Sequence, residues 1–171
     1  MKVEDDYIKD KELQDGLSKS KANGMNWWDG KEEYKPHAYI HNLIKQVWPV
    51  HIYEGFEYWI NDYPVGDQLD WHNDKDEYAY KHFDTIIMPA EGIVYYTHAD
   101  DVEGGVLEIT NGDKDVKIHP KKNRLVKFKT GLMHRVTEMR KGKRRSILVN
   151  AWRKKPNTFN VKDRDVYDED L

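Results

Sequence analysis

Cysteine is absent from the 171 residues, which excludes disulfides, thiol nucleophiles and zinc–thiolate sites. No apolar run approaches the roughly 18 residues of a membrane span. The opening Met-Lys-Val-Glu-Asp-Asp lacks the apolar stretch of a signal peptide. Excess positive charge is missing too. At a net charge of −3, no global basic field draws the chain to nucleic acid or acidic lipid. These absences set the expectation of a soluble, cytoplasmic protein with no membrane partner.

What is present is polar for a globular chain: 35% charged and 38% hydrophobic residues. Six Trp and eleven Tyr compensate, because aromatic side chains bury large areas. The length suits a single domain, 1–171, with a sizeable core. Residues 1–24 are rich in Lys, Asp and Glu, and a short helix or a solvated arm both remain open. The clearest helix spans 37–48. There Ile40, Leu43, Ile44, Val47 and Trp48 repeat on one face, with Pro36 and Pro49 as punctuation. After Pro49 the period becomes two. Phe56, Tyr58 and Ile60 alternate with Glu57 and Asn61, which reads as a half-buried strand. Further strands are expected at 85–88, 92–96, 106–109, 116–118, 125–129 and 144–152, separated by Gly- and Asn-rich turns. Many short strands with one helical region argue for a β-sandwich or open barrel with helical support, its core at 54–153. A charged tail follows at 159–171.

The chemistry concentrates around Tyr63-Pro-Val-Gly-Asp-Gln-Leu-Asp-Trp-His-Asn-Asp74. On an extended strand His72 and Asp74 point the same way. An imidazole and a carboxylate aimed at one point supply two of the three ligands of a mononuclear metal. The third should be a histidine from a strand that returns beside the first, and His134 is the candidate. With 8 His and 19 Asp, about one His-x-Asp is expected by chance, so the tripeptide alone is weak. Three occur: His72/Asp74, His82/Asp84 and His98/Asp100. Too few strands separate His98 from His134, whereas four or five fit between His72 and His134. His82/Asp84 is set aside by its flanking residues.

Those flanking residues carry a resemblance. Tyr63-x-x-Gly66-x-x-Leu69-x-x-His72-x-Asp74 resembles the opening motif of iron(II)/2-oxoglutarate-dependent oxygenases, especially their prolyl-hydroxylase-like branch. Ile93-Val-Tyr-Tyr96 and Gly104-Gly-Val-Leu-Glu-Ile109 are similar to that branch's paired central strands. His134 followed by Arg144-Arg-Ser146 resembles its distal histidine and cosubstrate-binding Arg-x-Ser. The resemblance implies a mainly β double-stranded β-helix (jelly-roll, cupin-like) with supporting helices. It implies Fe(II) held by His72, Asp74 and His134, and 2-oxoglutarate held by Arg144 and Ser146, with ascorbate as a reductant. Tyr96, or Tyr95 in another register, would bond the cosubstrate's far carboxylate, and Tyr63 would line the pocket.

Physical chemistry gives these pieces reasons. Two His and one carboxylate leave open positions on iron(II). A buried carboxylate calls for a bidentate, charge-assisted partner such as Arg. Arg144 and Ser146 share a strand face, so Arg145 is expected to face solvent. Trp152 either walls the pocket or packs in the core. Residues 75–91 are a lid or an extra hairpin. The basic clusters 121–124 and 140–145 read as solvated turns, or as a dock for an acidic peptide or nucleic acid strand. The distal motif lacks the Asn-x-x-x-x-x-Arg signature of nucleic-acid dealkylases, which argues against base repair. Hydroxylation of a peptidyl or free amino acid, proline first, is the expected activity. The rivals are the same mechanism on a nucleic acid or small metabolite, and a non-enzymatic jelly-roll binding module.

Overall fold

A computed structural model of the chain describes residues 1–160. In chain order it contains β1 (Lys2–Glu4), α1 (Lys11–Lys19), β2 (Asn26–Trp28), α2 (Ala38–Val47), β3 (Gly55–Tyr63), β4 (Leu69–His72) and α3 (Glu77–Phe83). Then follow β5 (Glu91–Gly104), β6 (Leu107–Thr110), β7 (Asp115–Ile118), β8 (Leu125–Phe128), β9 (Met133–Val136) and β10 (Met139–Trp152). Two antiparallel sheets result, a six-stranded one ordered β1-β8-β5-β10-β3-β2 and a four-stranded one ordered β4-β9-β6-β7. Packed face to face, they make the jelly roll that the strand pattern and the motifs foretold.

The large sheet is covered on both faces, and this decides which residues line the interior. Its outer face packs Phe56, Tyr58, Ile93, Tyr95, Ile147 and Val149 against Leu13 and Leu17 of α1 and Ile40, Leu43 and Ile44 of α2. Helix α2 shows the apolar stripe expected of it. Across the interior, Val94, Tyr96, Val126 and Phe128 meet Leu107, Ile109 and Ile118 of the small sheet. Glu57 and Asn61, the polar residues that alternate along β3, therefore face the interior of the roll. Glu57, expected on the wet side, is only 8% exposed, because the wet side of β3 is the inside of the roll.

Two other expectations are corrected. Residues 85–88 form no strand and are exposed. Upstream, Asp76 caps α3 through the Ala79 N–H at 3.1 Å, and Asp84 ends the helix in the left-handed region at φ 49°. The 75–91 stretch is thus a short helix and an irregular return, not a hairpin. Asp76 is itself buried and also accepts from the Asn157 backbone at 2.6 Å and from the Thr158 hydroxyl at 3.1 Å. Arg145 is not solvent-facing. It is 8% exposed and donates to the carbonyls of Leu17, Ser18 and Ser20 and to Thr97 Oγ1. Carbonyls in and just after the last turn of α1, of which Leu17 O also accepts the Ser20 N–H at 3.3 Å, recruit this cation.

The basic clusters are largely committed to the fold. Arg144 and Arg145 are both buried, while Lys121 and Arg124 pair with Asp5 at 2.8 and 2.6 Å. The segment before α1 is held by that pairing and by β1 against β8. Residues 161–171, most of the expected tail, lie outside the described residues. No helix among the described residues is long and apolar enough to cross a membrane.

Candidate metal and cosubstrate site

Strand pairing brings the two distant histidines together. His72 at the end of β4 stands directly opposite His134 on β9, and their ring centroids are 4.2 Å apart. Two residues on, the Asp74 N–H donates to the Thr130 carbonyl at 2.9 Å, which turns its carboxylate toward both rings. Asp74 Oδ1 lies 3.6 Å from His72 Nε2 and 3.7 Å from His134 Nε2. One ligand atom from each residue falls within 4.8 Å of the others.

Proton positions follow from the partners. His72 Nδ1 is 2.8 Å from the Asp70 carbonyl, and His134 Nδ1 is 2.8 Å from the Leu132 carbonyl. A carbonyl only accepts, so each Nδ1 carries the hydrogen and each Nε2 lone pair is free to bind a metal. Burial pushes the His134 imidazole below its ordinary proton affinity, which keeps that lone pair available. The other Asp74 oxygen, Oδ2, accepts from Asn150 Nδ2 at 2.9 Å, leaving Oδ1 to point at the histidines. Two imidazole nitrogens and one carboxylate oxygen, each with a free lone pair, fit a divalent non-haem iron.

One cavity runs from this triad to Arg144 and Ser146, walled by Val94, Leu107 and Leu148. Arg144 is 1% exposed. Its Nε donates to the Gly105 carbonyl at 3.0 Å, its Nη1 reaches Ser146 Oγ at 3.5 Å, and the Tyr63 and Tyr96 rings flank it at 5.0 Å. Gly105 permits the approach. It sits at φ +60°, and a Cβ there would fall 2.8 Å from Arg144 Cδ. No carboxylate among the described residues lies within 4.0 Å of Arg144. An uncompensated buried cation costs several kcal/mol, so this pocket calls for an anion. The Tyr96 hydroxyl is also sealed without a hydrogen-bond partner among the described residues. A guanidinium, a serine hydroxyl and a tyrosine hydroxyl are a donor set for one carboxylate, which fits the far end of 2-oxoglutarate.

The remaining candidates resolve by register. Ser146 pairs with Tyr96 across β5, so Tyr96 faces the site, whereas the Tyr95 hydroxyl donates to Asn123 Oδ1 at 2.9 Å under the outer layer. Tyr63 pairs with Arg144 in register and accepts from Asn61 Nδ2 at 3.2 Å. His82 lies against Tyr78 within α3, ring centroids 4.2 Å apart and tilted by 34°, and His98 contacts Thr97 Oγ1 at 3.1 Å. Neither belongs to a metal-capable cluster among the described residues.

Sequence reasoning missed a polar layer beneath the triad. Asn150 accepts from Thr130 Oγ1 at 3.0 Å and donates to Glu57 Oε2 at 3.3 Å as well as to Asp74. Trp152, fully buried, donates its Nε1 to the same Glu57 oxygen at 3.1 Å. Burial pushes the Glu57 carboxyl up to about 7, against the opposing pull of the Asn150 bond. The signal was present: Arg144, Ser146, Leu148, Asn150 and Trp152 share one face of β10, and Asn150 is polar within an apolar run.

The comparisons with known proteins agree with this geometry. The sequence model of the 2OG-Fe(II) oxygenase superfamily matches residues 58–152. Among solved structures, a Pseudomonas putida prolyl-4-hydroxylase is similar, with a TM-score of 0.63 at 20% identity over 90% of this chain and 88% of that one. The viral collagen prolyl hydroxylase of Paramecium Bursaria Chlorella virus-1, in its 2OG complex, gives 0.59 at 17% identity, covering 90% and 96%. A prolyl hydroxylase from Trichoplax adhaerens gives 0.57 at 17% identity, covering 94% and 87%. No curated protein matches the chain. At these identities the structures speak for the fold, while the sequence match takes in more than half of the chain and every residue of the triad and the Arg144 pocket. This chain belongs to the 2OG-Fe(II) oxygenase superfamily and is an oxidoreductase that uses Fe(II) and 2-oxoglutarate.

Proposed function

We propose that this enzyme hydroxylates a peptidyl or free amino acid, with proline the first candidate. The observation that carries the oxygenase chemistry is the buried Arg144 guanidinium, without a carboxylate partner among the described residues, at one end of a cavity whose other end is the His72/Asp74/His134 triad. The prolyl substrate is supported by the fold shared with the three prolyl hydroxylases.

In this reading His72, Asp74 and His134 hold the iron, and Asn150 fixes which Asp74 oxygen is presented to it. Arg144, Ser146 and the Tyr96 hydroxyl take the far carboxylate of 2-oxoglutarate, with Tyr63 against the other face of the guanidinium. Once bound, iron(II) and 2-oxoglutarate supply the oxidation: one atom of dioxygen enters a substrate C–H bond as hydroxyl, the other ends in succinate, and CO2 leaves. Val94, Leu107 and Leu148 keep water from the channel between the two ends, where exclusion strengthens every charge interaction. A nucleic acid substrate has less support, since Arg144 and Arg145 are buried and Lys121 and Arg124 are paired with Asp5.

The test is anaerobic titration of Fe(II) and 2-oxoglutarate into metal-free protein, followed by the weak visible charge-transfer band. A band that needs both additions, and is lost in Asp74→Ala and in Arg144→Ala, is expected. Its absence from well-folded protein would remove the oxygenase site. Succinate release with proline-containing peptides and free amino acids then reads the substrate class, and no stimulation by any of them would overturn it.

A further inference from the structure

Beside the triad lies a second cavity of about 200 Å³ that the cosubstrate channel does not occupy. Met25, Glu57, Trp59, His72, Lys75 and Thr158 are among its lining. It is larger than a single water needs, and it can admit an amino-acid side chain. Because His72 and Asp74 also face it, a group held there sits next to the metal ligands.

Glu57 is the unexplained residue in this wall. Its side chain is nine-tenths buried, and Oε2 is fully engaged by Asn150 Nδ2 and Trp152 Nε1. Oε1 accepts no hydrogen bond among the described residues, yet it is not one of the sealed, partnerless atoms. It therefore opens into the cavity. Positioning Asn150 needs only one acceptor, which a glutamine would provide, so the support role accounts for neither the charge nor the second oxygen. A buried carboxylate without a counter-charge is costly, and burial already raises the Glu57 proton affinity.

Nothing in the wall supplies the missing charge. Lys75 is the one lysine or arginine in this lining, and its Nζ is held by Glu77 Oε1 at 3.1 Å and lies over the Tyr80 ring at 4.8 Å. Asp74 is turned toward the histidines. Glu77, also in the wall, is exposed and paired with Lys75. The buried carboxylate oxygen left without a partner among the described residues is Glu57 Oε1, with the Trp59 indole in the same wall as a further attraction for a cation.

We propose that the substrate carries an aliphatic ammonium group that pairs with Glu57 Oε1 and thereby presents a neighbouring C–H bond to the metal. This rests on the oxygenase reading and narrows its substrate class. The ammonium belongs either to a free amino acid or to a lysyl side chain of a peptide. A peptidyl proline, whose nitrogen is an amide without a hydrogen, does not satisfy Glu57.

The experiment uses anaerobic protein loaded with Fe(II) and 2-oxoglutarate, probed by calorimetry and by perturbation of the visible band. One arm offers L-proline and L-lysine against their N-acetylated forms, with both amines of lysine acetylated. The other offers a lysine-containing peptide, N-terminally acetylated, against the same peptide also acetylated on the lysine. At least one amine should bind and shift the band, and its acetylated counterpart should bind at least about tenfold more weakly, the loss of a charge-assisted contact. The arm that responds identifies the source of the ammonium. Glu57→Gln keeps acceptors for Asn150 and Trp152, so the band and the melting temperature should persist while amine affinity falls by a similar factor. Equal binding of acetylated and free probes, full amine affinity in folded Glu57→Gln, or no response in either arm each overturns the proposal. If the variant does not fold, the comparison of probes on the natural chain decides alone. A missing band in the natural chain refutes the oxygenase site first and takes this proposal with it.

Discussion

Replacing Asn150 by leucine tests whether the polar layer under the triad sets metal affinity. Leucine is of similar size, so little cavity opens, but the donor to Asp74 Oδ2 and the acceptor for Thr130 Oγ1 both disappear. The bond does two opposing things. It withdraws charge from the Asp74 carboxylate, and it holds Oδ1 toward His72 and His134 at 3.6 and 3.7 Å. Orientation should dominate, because a carboxylate free to rotate pays entropy each time it binds. Loss of an outer partner of a metal ligand typically costs about 10- to 100-fold in affinity, or about 1.4–2.7 kcal/mol. Iron affinity measured by competition with a chromophoric chelator is the assay. Urea unfolding of the metal-free variant reads separately the cost of the orphaned groups, about 1–3 kcal/mol. An iron affinity within about threefold of the natural chain, in folded protein, would refute the argument that Asn150 orients Asp74.

Arg144→Leu should weaken 2-oxoglutarate binding about 10- to 100-fold, the worth of charge-assisted hydrogen bonds, and leave iron binding without cosubstrate unchanged; parallel calorimetric titrations check both. Arg145→Ala should do the reverse. It strips donors from the end of α1, so chemical denaturation should show a loss of about 2–4 kcal/mol with 2-oxoglutarate affinity retained. His41 is fully buried, stacked on Trp28 at 4.1 Å, and burial lowers its proton affinity to about 4. Between about 6.5 and 4 the unfolded chain holds this proton and the folded one does not, so stability falls as pH drops through that window, by up to about 3 kcal/mol. Urea midpoints at neutral and acid pH should show that slope reduced in His41→Leu; an unchanged slope would show that other groups carry it.

The parts of the site that the sequence revealed are those whose chemistry is fixed by local spacing. His72 and Asp74 share a face because strands alternate, and Arg144 and Ser146 do so for the same reason. His134 needed the order of elements and the family motif, since only pairing of β4 with β9 brings it opposite His72. What stayed hidden depends on which face is dry. Alternation along β3 separates Phe56 and Tyr58 from Glu57 and Asn61, but it cannot say that α1 and α2 cover one set while the small sheet covers the other. Arg145 misled for a related reason: its charge suggested water, yet the end of α1 supplied the carbonyls to bury it. The apolar 85–88 segment read as a strand because Asp76 and Asp84, the caps that bound α3, look like ordinary surface acids.

Asp76 also joins two distant parts of the chain. It follows Asp74 of the candidate metal triad by two residues, and it clasps Asn157 and Thr158 beyond the last strand. If docking of the 157–159 turn helps to hold Asp74, seating the turn and loading the metal are linked equilibria. Whatever free energy the docked turn contributes to holding Asp74 ready, a bound metal must return in equal measure to the docked turn. On that linkage a change at Asn157 or Thr158 should alter metal affinity without touching a ligand, and the metal's presence should slow hydrogen exchange at Asn157.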